Sequence, residues 1–247
     1  MQPNPNRSRA LIAVTGPDAV HFLQGLLTQD VSKLAADRIQ FAALLSPQGK
    51  ILHDMFLLPI EHGVLLDTPA VYKETLLKRL ALYKLRAQVA ITDVSDQWQL
   101  RYSAQEGCPD PRHAALPKRV YINGAAEAPG AVAYAPTCLS LGIPDSTVDF
   151  APDEIVALDA GYDLLHAVSF TKGCYVGQEV TARMHYKNIA RRGFFILEQD
   201  GVPVRLALLK FEEVEVANHR VTLDGREYTA RLPDWMQPKW EQFKTIG

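Results

Sequence analysis

Lys172-Gly173-Cys174-Tyr175-Val176-Gly177-Gln178-Glu179, continuing as Val180-Thr181-Ala182-Arg183, has the make-up of a loop that runs into a helix and carries a single thiol. Glycines bracket the Cys-Tyr-Val triplet, and glycine accepts positive φ or a close approach to the backbone. The spacing predicts a helix that starts near Gly177, with Gln178, Ala182 and His185 on one face. Glu179 and Arg183 stand four apart with the acid first, which favours an ion pair and sets a carboxylate near the helix N-terminus. Cys174 is therefore placed just ahead of a helix start. There the helix end and the Lys172 ammonium favour thiolate over thiol, while Glu179 opposes them. The alternative is a buried cysteine that behaves as a small apolar residue.

Downstream, His185, Lys187, Arg191 and Arg192 form a local basic cluster. It reads either as a solvated helix end whose cations complement the dipole, or as an anion site facing the cysteine loop. Residues 194–197, 204–216, 220–223 and 227–231 alternate or run apolar as strands, with Leu223-Asp224-Gly225-Arg226 as a hairpin turn. The C-terminal quarter is thus expected to be a small β module, a barrel-like cap, with Trp235 and Trp240 covering a core edge.

Upstream, residues 10–15 read as a strand, and Gly16-Pro17-Asp18 opens a helix that carries Phe22, Leu23, Leu26 and Leu27 on one face and ends near Asp30. Residues 39–45 and 51–58 read as a hairpin around Ser46-Pro47-Gln48-Gly49. A short strand follows at 64–66. A second helix starts at Pro69, with Leu76, Leu80 and Tyr83 at helical spacing. Residues 89–94 and 98–103 look like an antiparallel pair turning through Ser95-Asp96-Gln97, and Gly107, Pro109, Pro111 and Pro117 mark a loop. A strand at 119–122 and a helix at 137–141 complete an α+β pattern.

A chain of 247 residues with 47% hydrophobic and 22% charged side chains can bury a substantial core. Its 26 Lys+Arg against 28 Asp+Glu leave a net charge of −2, so no global field draws it to nucleic acid or to an anionic membrane. Cys108, Cys138 and Cys174 lie far apart without a C-x-x-C pair, which argues against a disulfide framework or a zinc knuckle. A Cys108–His113 metal site lacks a second ligand pair, and no permanently bound metal is expected. The opening Met1-Gln2-Pro3-Asn4-Pro5-Asn6-Arg7-Ser8-Arg9 has no apolar signal core, and no later run approaches the about 18 residues that span a bilayer. A cytoplasmic protein is expected. Dinucleotide, Walker, zinc-peptidase and serine-hydrolase motifs are absent.

Residues 172–179 with Ala182-Arg183 closely resemble the K-G-C-Y-x-G-Q-E motif of the YgfZ family, folate-binding proteins that assist iron–sulfur cluster assembly or repair and are related to the T-protein of the glycine cleavage system. Phe22-Leu23-Gln24-Gly25-Leu26-Leu27-Thr28-Gln29-Asp30-Val31 is similar to the family's F-L-Q-G-x-x-T-N-D-V helix, and Ser46-Pro47-Gln48-Gly49-Lys50 to its glycine turn. Gly142-Ile143-Pro144 and Pro152-x-Glu154 match weaker stretches. The resemblance implies an α+β ring of mixed and antiparallel sheets with helices around a central tetrahydrofolate cavity, plus a C-terminal β-barrel. It implies a folate-binding region over 1–192 and a shortened barrel-like module over 193–247, iron–sulfur client or assembly proteins as partners, and a link to tRNA modification.

Two departures bear on function. The T-protein has an Asp pair after its glycine turn, and the first of the pair serves aminomethyl transfer. Counting from Gly49, that position falls on His53, with Asp54 second. An imidazole does not replace a carboxylate facing a folate amine, so glycine-cleavage chemistry is disfavoured unless the register slips by one and Asp54 takes the place. The second departure is the short passage Gln199-Asp200-Gly201-Val202-Pro203, which puts a complete barrel in doubt.

The expected function is a tetrahydrofolate-dependent accessory factor for iron–sulfur enzymes. Cys174 acts as the thiolate, Lys172 lowers its pKa, and Gly173 and Gly177 shape the loop. Tyr175 packs on a planar ligand or closes the loop, Gln178 orients the site, and the Glu179–Arg183 pair braces the helix. Together with Asp54, these are the expected folate-side residues. The rivals are a folate-dependent one-carbon transferase or demethylase and a non-catalytic folate-binding scaffold.

Overall fold

Alternating residues in strands β1 (Arg9–Thr15), β2 (Gln40–Leu45), β3 (Ile51–Ile60) and β4 (Gly63–Pro69) send apolar side chains to both faces of one antiparallel sheet. With β5 (Ala90–Asp93) at its edge, the order is β2-β3-β4-β1-β5. The computed structural model describes residues 9–124, 133–187 and 191–246; the opening residues 1–8 lie outside that description.

One face of the sheet, with Ile12, Val14, Ala42, Leu44, Met55 and Leu57, buries Leu23 of helix α1 (Ala19–Gln24) and Leu76 and Leu80 of α2 (Lys73–Lys84). The other face, with Leu11, Phe41, Ala43, Phe56 and Leu58, belongs to the main core. This period of two is what a sheet covered on both sides requires. The first helix ends at Gln24 rather than near Asp30, because Gly25 closes it and the chain then bends toward a Leu27–Leu44 bridge with β2.

The 89–94 strand does not pair with 98–103. It joins β1 through Ile12↔Asp93 to Thr15↔Ala90, while β6 (Trp98–Ser103) pairs with β7 (Lys118–Asn123) as a separate two-stranded sheet. Asp93 accepts hydrogen bonds from the Ser95 amide and hydroxyl, and this turn carries the chain out of one sheet and into the other. Helix α3 (Ala135–Leu141) and a succession of turns lead to α4 (Gln178–Lys187).

The C-terminal region is not a barrel. Strands β8 (Arg192–Gln199), β9 (Val202–Lys210), β10 (Arg220–Leu223) and β11 (Arg226–Arg231) form an open sheet in the order β10-β11-β8-β9. Closure is unnecessary because both faces of β8 are already covered. Phe194 and Ile196 enter the main core, while Phe195 and Leu197 pack under α5 (Phe211–Val216) and α6 (Gln237–Ile246) with Phe211, Val214 and Trp240. The expected strand over 204–216 is therefore a strand followed by a helix. Phe211 and Val214 recur at i, i+3 with glutamates between them, a helical spacing inside what reads as one apolar run.

Candidate functional site

Two features stand apart, a central cavity and the cysteine loop. The cavity, of about 480 Å³, opens between the inner face of the five-stranded sheet, the β6–β7 pair, α3 and residues 144–147. Asp54 and Phe56 of β3 line it together with Arg9, Arg112, Arg119 and Tyr134.

Asp54 is buried and its two oxygens are separately held, Oδ1 by the Ser146 hydroxyl at 2.8 Å and Oδ2 by the Tyr162 phenol at 2.7 Å. A carboxylate has about four lone-pair directions, so acceptor capacity remains for a ligand N–H. His53 does not share this surface. It is buried near Tyr72, at 6.2 Å between ring centroids, and does not line the cavity. Burial, helped by the charge of Arg79, pushes its imidazole down to about 4, and Nδ1 has no hydrogen-bond partner among the described residues. Alternation along β3 thus places Asp54, and not His53, in the cavity wall.

Behind Asp54 lies a buried ionic network that sequence reading missed. Arg119 binds Asp67 at 2.8 Å and Asp110 at 3.1 Å; Arg9 binds Asp67 at 2.7 Å; Arg112 binds Asp110 at 3.1 Å. The Tyr134 hydroxyl contacts Arg112, Arg119 and Asp110, and its ring stacks on Tyr102 at 3.9 Å. Burial alone would raise the Asp110 carboxyl, yet Arg112 and Arg119 hold it well below the usual range. A sequence signal existed for part of this. Asp67 interrupts the apolar run Val64-Leu65-Leu66, and a charge in a strand buried on both faces needs a partner.

The cysteine loop lies elsewhere, on motifs from the N-terminal third. Lys172 donates from its ammonium to the carbonyls of Gln24, Leu27 and Gln29 at 2.6, 2.7 and 2.9 Å. It also sits 5.2 Å from the Tyr175 ring centroid. Burial pushes this ammonium down to about 8, with Asp30 opposing. Lys172 is therefore committed to carbonyls rather than free to face the thiol. Tyr175 is buried in the main core, so it closes the loop from beneath. Gly177 has φ +81°, and a Cβ there would meet the Ser46 carbonyl oxygen at 2.5 Å, so the glycine turn of the β2–β3 hairpin and the start of α4 fit only without a side chain. Phe170 stacks on His185 at 3.7 Å and ties the far end of α4 to the strand of chain entering the loop.

Cys174 and Gly173 are exposed on this braced loop, whereas Cys138 is buried in the cavity wall. Of the expected folate-side residues, Asp54 alone lines the cavity; Lys172, Gly173, Tyr175, Gly177, Gln178, Glu179 and Arg183 belong to the loop and α4. Glu179 and Arg183 are exposed and make no ion pair among the described residues. In the basic cluster, His185 is engaged with Phe170, and Lys187, Arg191 and Arg192 are exposed. Among the described residues no group of three His, Cys, Asp or Glu is arranged to hold a metal, and no helix is long and apolar enough to cross a membrane.

Residues 8–101 match the family described as GCVT N-terminal domain. The glycine cleavage system aminomethyltransferase T from Bartonella henselae superposes with a TM-score of 0.67 over 92% of this chain and 84% of that one, at 15% identity. In sequence, the chain is 32% identical over 225 residues to the human iron–sulfur cluster assembly factor IBA57, mitochondrial, covering 76% of this chain and 63% of the relative. It is 29% identical to the Coccidioides immitis homologue, covering 75% and 54%, and 27% identical to the mouse protein, covering 92% and 83%. The chain thus spans between half and two thirds of the length of the first two of these relatives. The cytoplasmic expectation is overturned by these matches, each of which is named as mitochondrial. Nor do they carry the link to tRNA modification, and the likeness is not specifically to YgfZ proteins. The chain has the glycine-cleavage aminomethyltransferase fold and is similar in sequence to the iron–sulfur cluster assembly factors named IBA57.

Proposed function

We propose that this protein is a folate-linked accessory factor in iron–sulfur cluster assembly, working with cluster-assembly or client proteins through the Cys174 loop. The observation that carries the reading is the exposure of Cys174 on a loop fixed from below by Lys172, Tyr175 and Gly177, in a chain related to IBA57 assembly factors. An exposed thiol on a rigid loop is accessible to a second protein without local unfolding.

The cavity fits a folate. Its volume of about 480 Å³ is within the range of small-molecule sites, and its wall combines aromatic rings with a carboxylate and guanidinium groups. Asp54 would accept from N–H groups of the bound molecule, with Ser146 and Tyr162 fixing the carboxylate in place. Tetrahydrofolate, when bound, supplies a carrier for one-carbon units. Arg112, Arg119 and Tyr134 line the same wall.

The test has two parts. Cells lacking the protein regain iron–sulfur enzyme activity when given the native chain and fail to regain it with Cys174→Ala, which folds normally. Full rescue by that variant would remove Cys174 from the function. Calorimetry with tetrahydrofolate gives binding to both proteins; no binding to either removes the folate.

A second reading, a one-carbon transferase, is favoured by one observation, the placement of Asp54 in the cavity wall. Formation of methylene-tetrahydrofolate from a methylamine-type substrate, lost in Asp54→Asn, would support it.

A further inference from the structure

Helix α2 is apolar on two sides. Leu76 and Leu80 are fully buried against the sheet. On the outer side Leu82 is 72% exposed. Val71, in the 3₁₀ turn that leads into the helix, and Leu85, its C-terminal cap, are 71% and 88% exposed. Single exposed apolar side chains are ordinary on any protein surface. These three are not scattered. Positions 71, 75, 78, 82 and 85 are all exposed and follow one another in steps of four and three, the line that one helix offers to another. Leu82 and Leu85 are also the only leucines among the large exposed apolar residues described. Leu85 has φ +44°, a positive value of the kind that glycine supplies at most helix ends, so a leucine is held in solvent at a backbone position unfavourable to it.

The flanks of this seam are cationic. Residues 71–86 hold five cations and one carboxylate, in a chain whose net charge is −2. Lys73 is bound by Asp93 at 2.6 Å, and the single carboxylate, Glu74, stands 3.9 Å from the same ammonium. Lys78, Arg79, Lys84 and Arg86 make no ion pair among the described residues. The charge of Arg79 is felt instead by buried His53, whose imidazole it helps to depress. An apolar seam edged by four unpaired cations is complementary to an apolar seam edged by carboxylates.

We propose that the outer seam of α2 docks an amphipathic helix of a partner protein, one that carries acidic side chains along the edges of its apolar stripe. A second copy of this chain is a poor occupant, because a self-complementary contact brings the same four cations face to face. A lipid surface fits poorly as well. Thr75 and Lys78 interrupt the seam between Val71 and Leu82, whereas an interfacial helix sinks a broad apolar face into the bilayer. A facing helix meets Lys78 with a carboxylate of its own, and a polar position inside an apolar seam fixes the register of such a pair. The site is separate from the folate cavity, since α2 covers the other face of the five-stranded sheet.

The experiment is fluorescence anisotropy on the full chain with two synthetic three-heptad peptides, both with leucine at the seam positions, one with glutamate and one with lysine along the edges. The glutamate peptide is expected to bind at least about tenfold more tightly than the lysine peptide, with the difference shrinking as salt is raised. The double variant Leu82→Ser, Leu85→Ser is expected to lose about tenfold or more of that affinity. Its unfolding midpoint is measured alongside and stays at the native value, because both side chains are exposed. In Lys78→Glu, Lys84→Glu the preference is expected to reverse toward the lysine peptide. Failure of the glutamate peptide to bind, equal affinity for the two peptides, or undiminished binding to the leucine variant overturns the site. Two further outcomes overturn it by naming another occupant: binding to vesicles of phosphatidylcholine and phosphatidylglycerol without peptide binding, or dimerisation of the native chain that the leucine variant abolishes. Tetrahydrofolate binding is expected to be the same in the native chain and the leucine variant; its absence from both removes the folate and leaves the docking site standing.

Discussion

The cavity wall and the cysteine loop solve opposite problems with similar residues. In the wall, Arg119 is buried to 1% exposure and is matched by carboxylates, so the charge is stabilised by counter-charge. In the loop, Lys172 is nearly as buried, at 8%, yet its ammonium is matched by three backbone carbonyls, and among the described residues no carboxylate touches it. A network of paired ions shapes a concave surface for something that enters. A cation clamped on backbone instead fixes a loop whose thiol is exposed. The same element of chemistry, a buried cation, thus supports a pocket in one region and a display in the other.

The sharpest way to break this contrast is Arg119→Ala. It strands Asp67 and Asp110 without their shared partner, and breaking a buried pair costs roughly 3–5 kcal/mol. Urea unfolding is expected to show that loss, and a change under about 1 kcal/mol would mean that the network contributes little. The next test uses pH. His53 has a folded value of about 4, below the ordinary 6.5 of an imidazole, so between these values the unfolded chain binds more protons and stability falls as pH falls. The full effect is about 3 kcal/mol. Asp149, raised by burial to about 6, works in the opposite sense over part of the window, because its folded form holds the proton longer. The informative comparison is therefore His53→Gln, which is expected to flatten the native acid slope.

Lys172→Met is expected to destabilise by about 1–3 kcal/mol, since carbonyls lose their donor. Faster hydrogen exchange is expected over 172–177 with the affinity for tetrahydrofolate unchanged; a parallel loss of that affinity would merge the two regions into one. Gly177→Ala is expected to cost about 1–3 kcal/mol through strain at its positive φ and the close Ser46 carbonyl. The smallest effect belongs to Cys174→Ser, within about 0.5 kcal/mol. In the native protein, iodoacetamide is expected to label Cys174 well before the buried Cys138.

The hairpin strands, the α2 repeat and the start of α4 were legible because each has a single dominant period and a clear turn. The pairing of β5 was not, because a short turn at 95–97 looks the same whether it returns to its neighbour or crosses to another sheet. The cavity was hidden for a related reason. Arg9, Asp67, Asp110, Arg119 and Tyr134 are scattered over more than a hundred residues, and only the fold brings them around Phe56. Position 53 shows how unforgiving a strand can be, since one residue of offset moves a side chain from the cavity to the opposite face. The cysteine loop was the reverse case: its composition announced a shaped turn, but the role of Lys172 depended on carbonyls far away in the chain.

That last feature also fixes when the loop takes shape. The three bonds from Lys172 close separations of 148, 145 and 143 residues, so they form only after the N-terminal sheet and α1 stand in place. Contacts of such range raise the contact order and slow folding. A chain still emerging from the ribosome, or one whose first sheet has failed, carries Cys174 on an unshaped strand, and a partner that reads the loop's form thereby samples finished molecules alone.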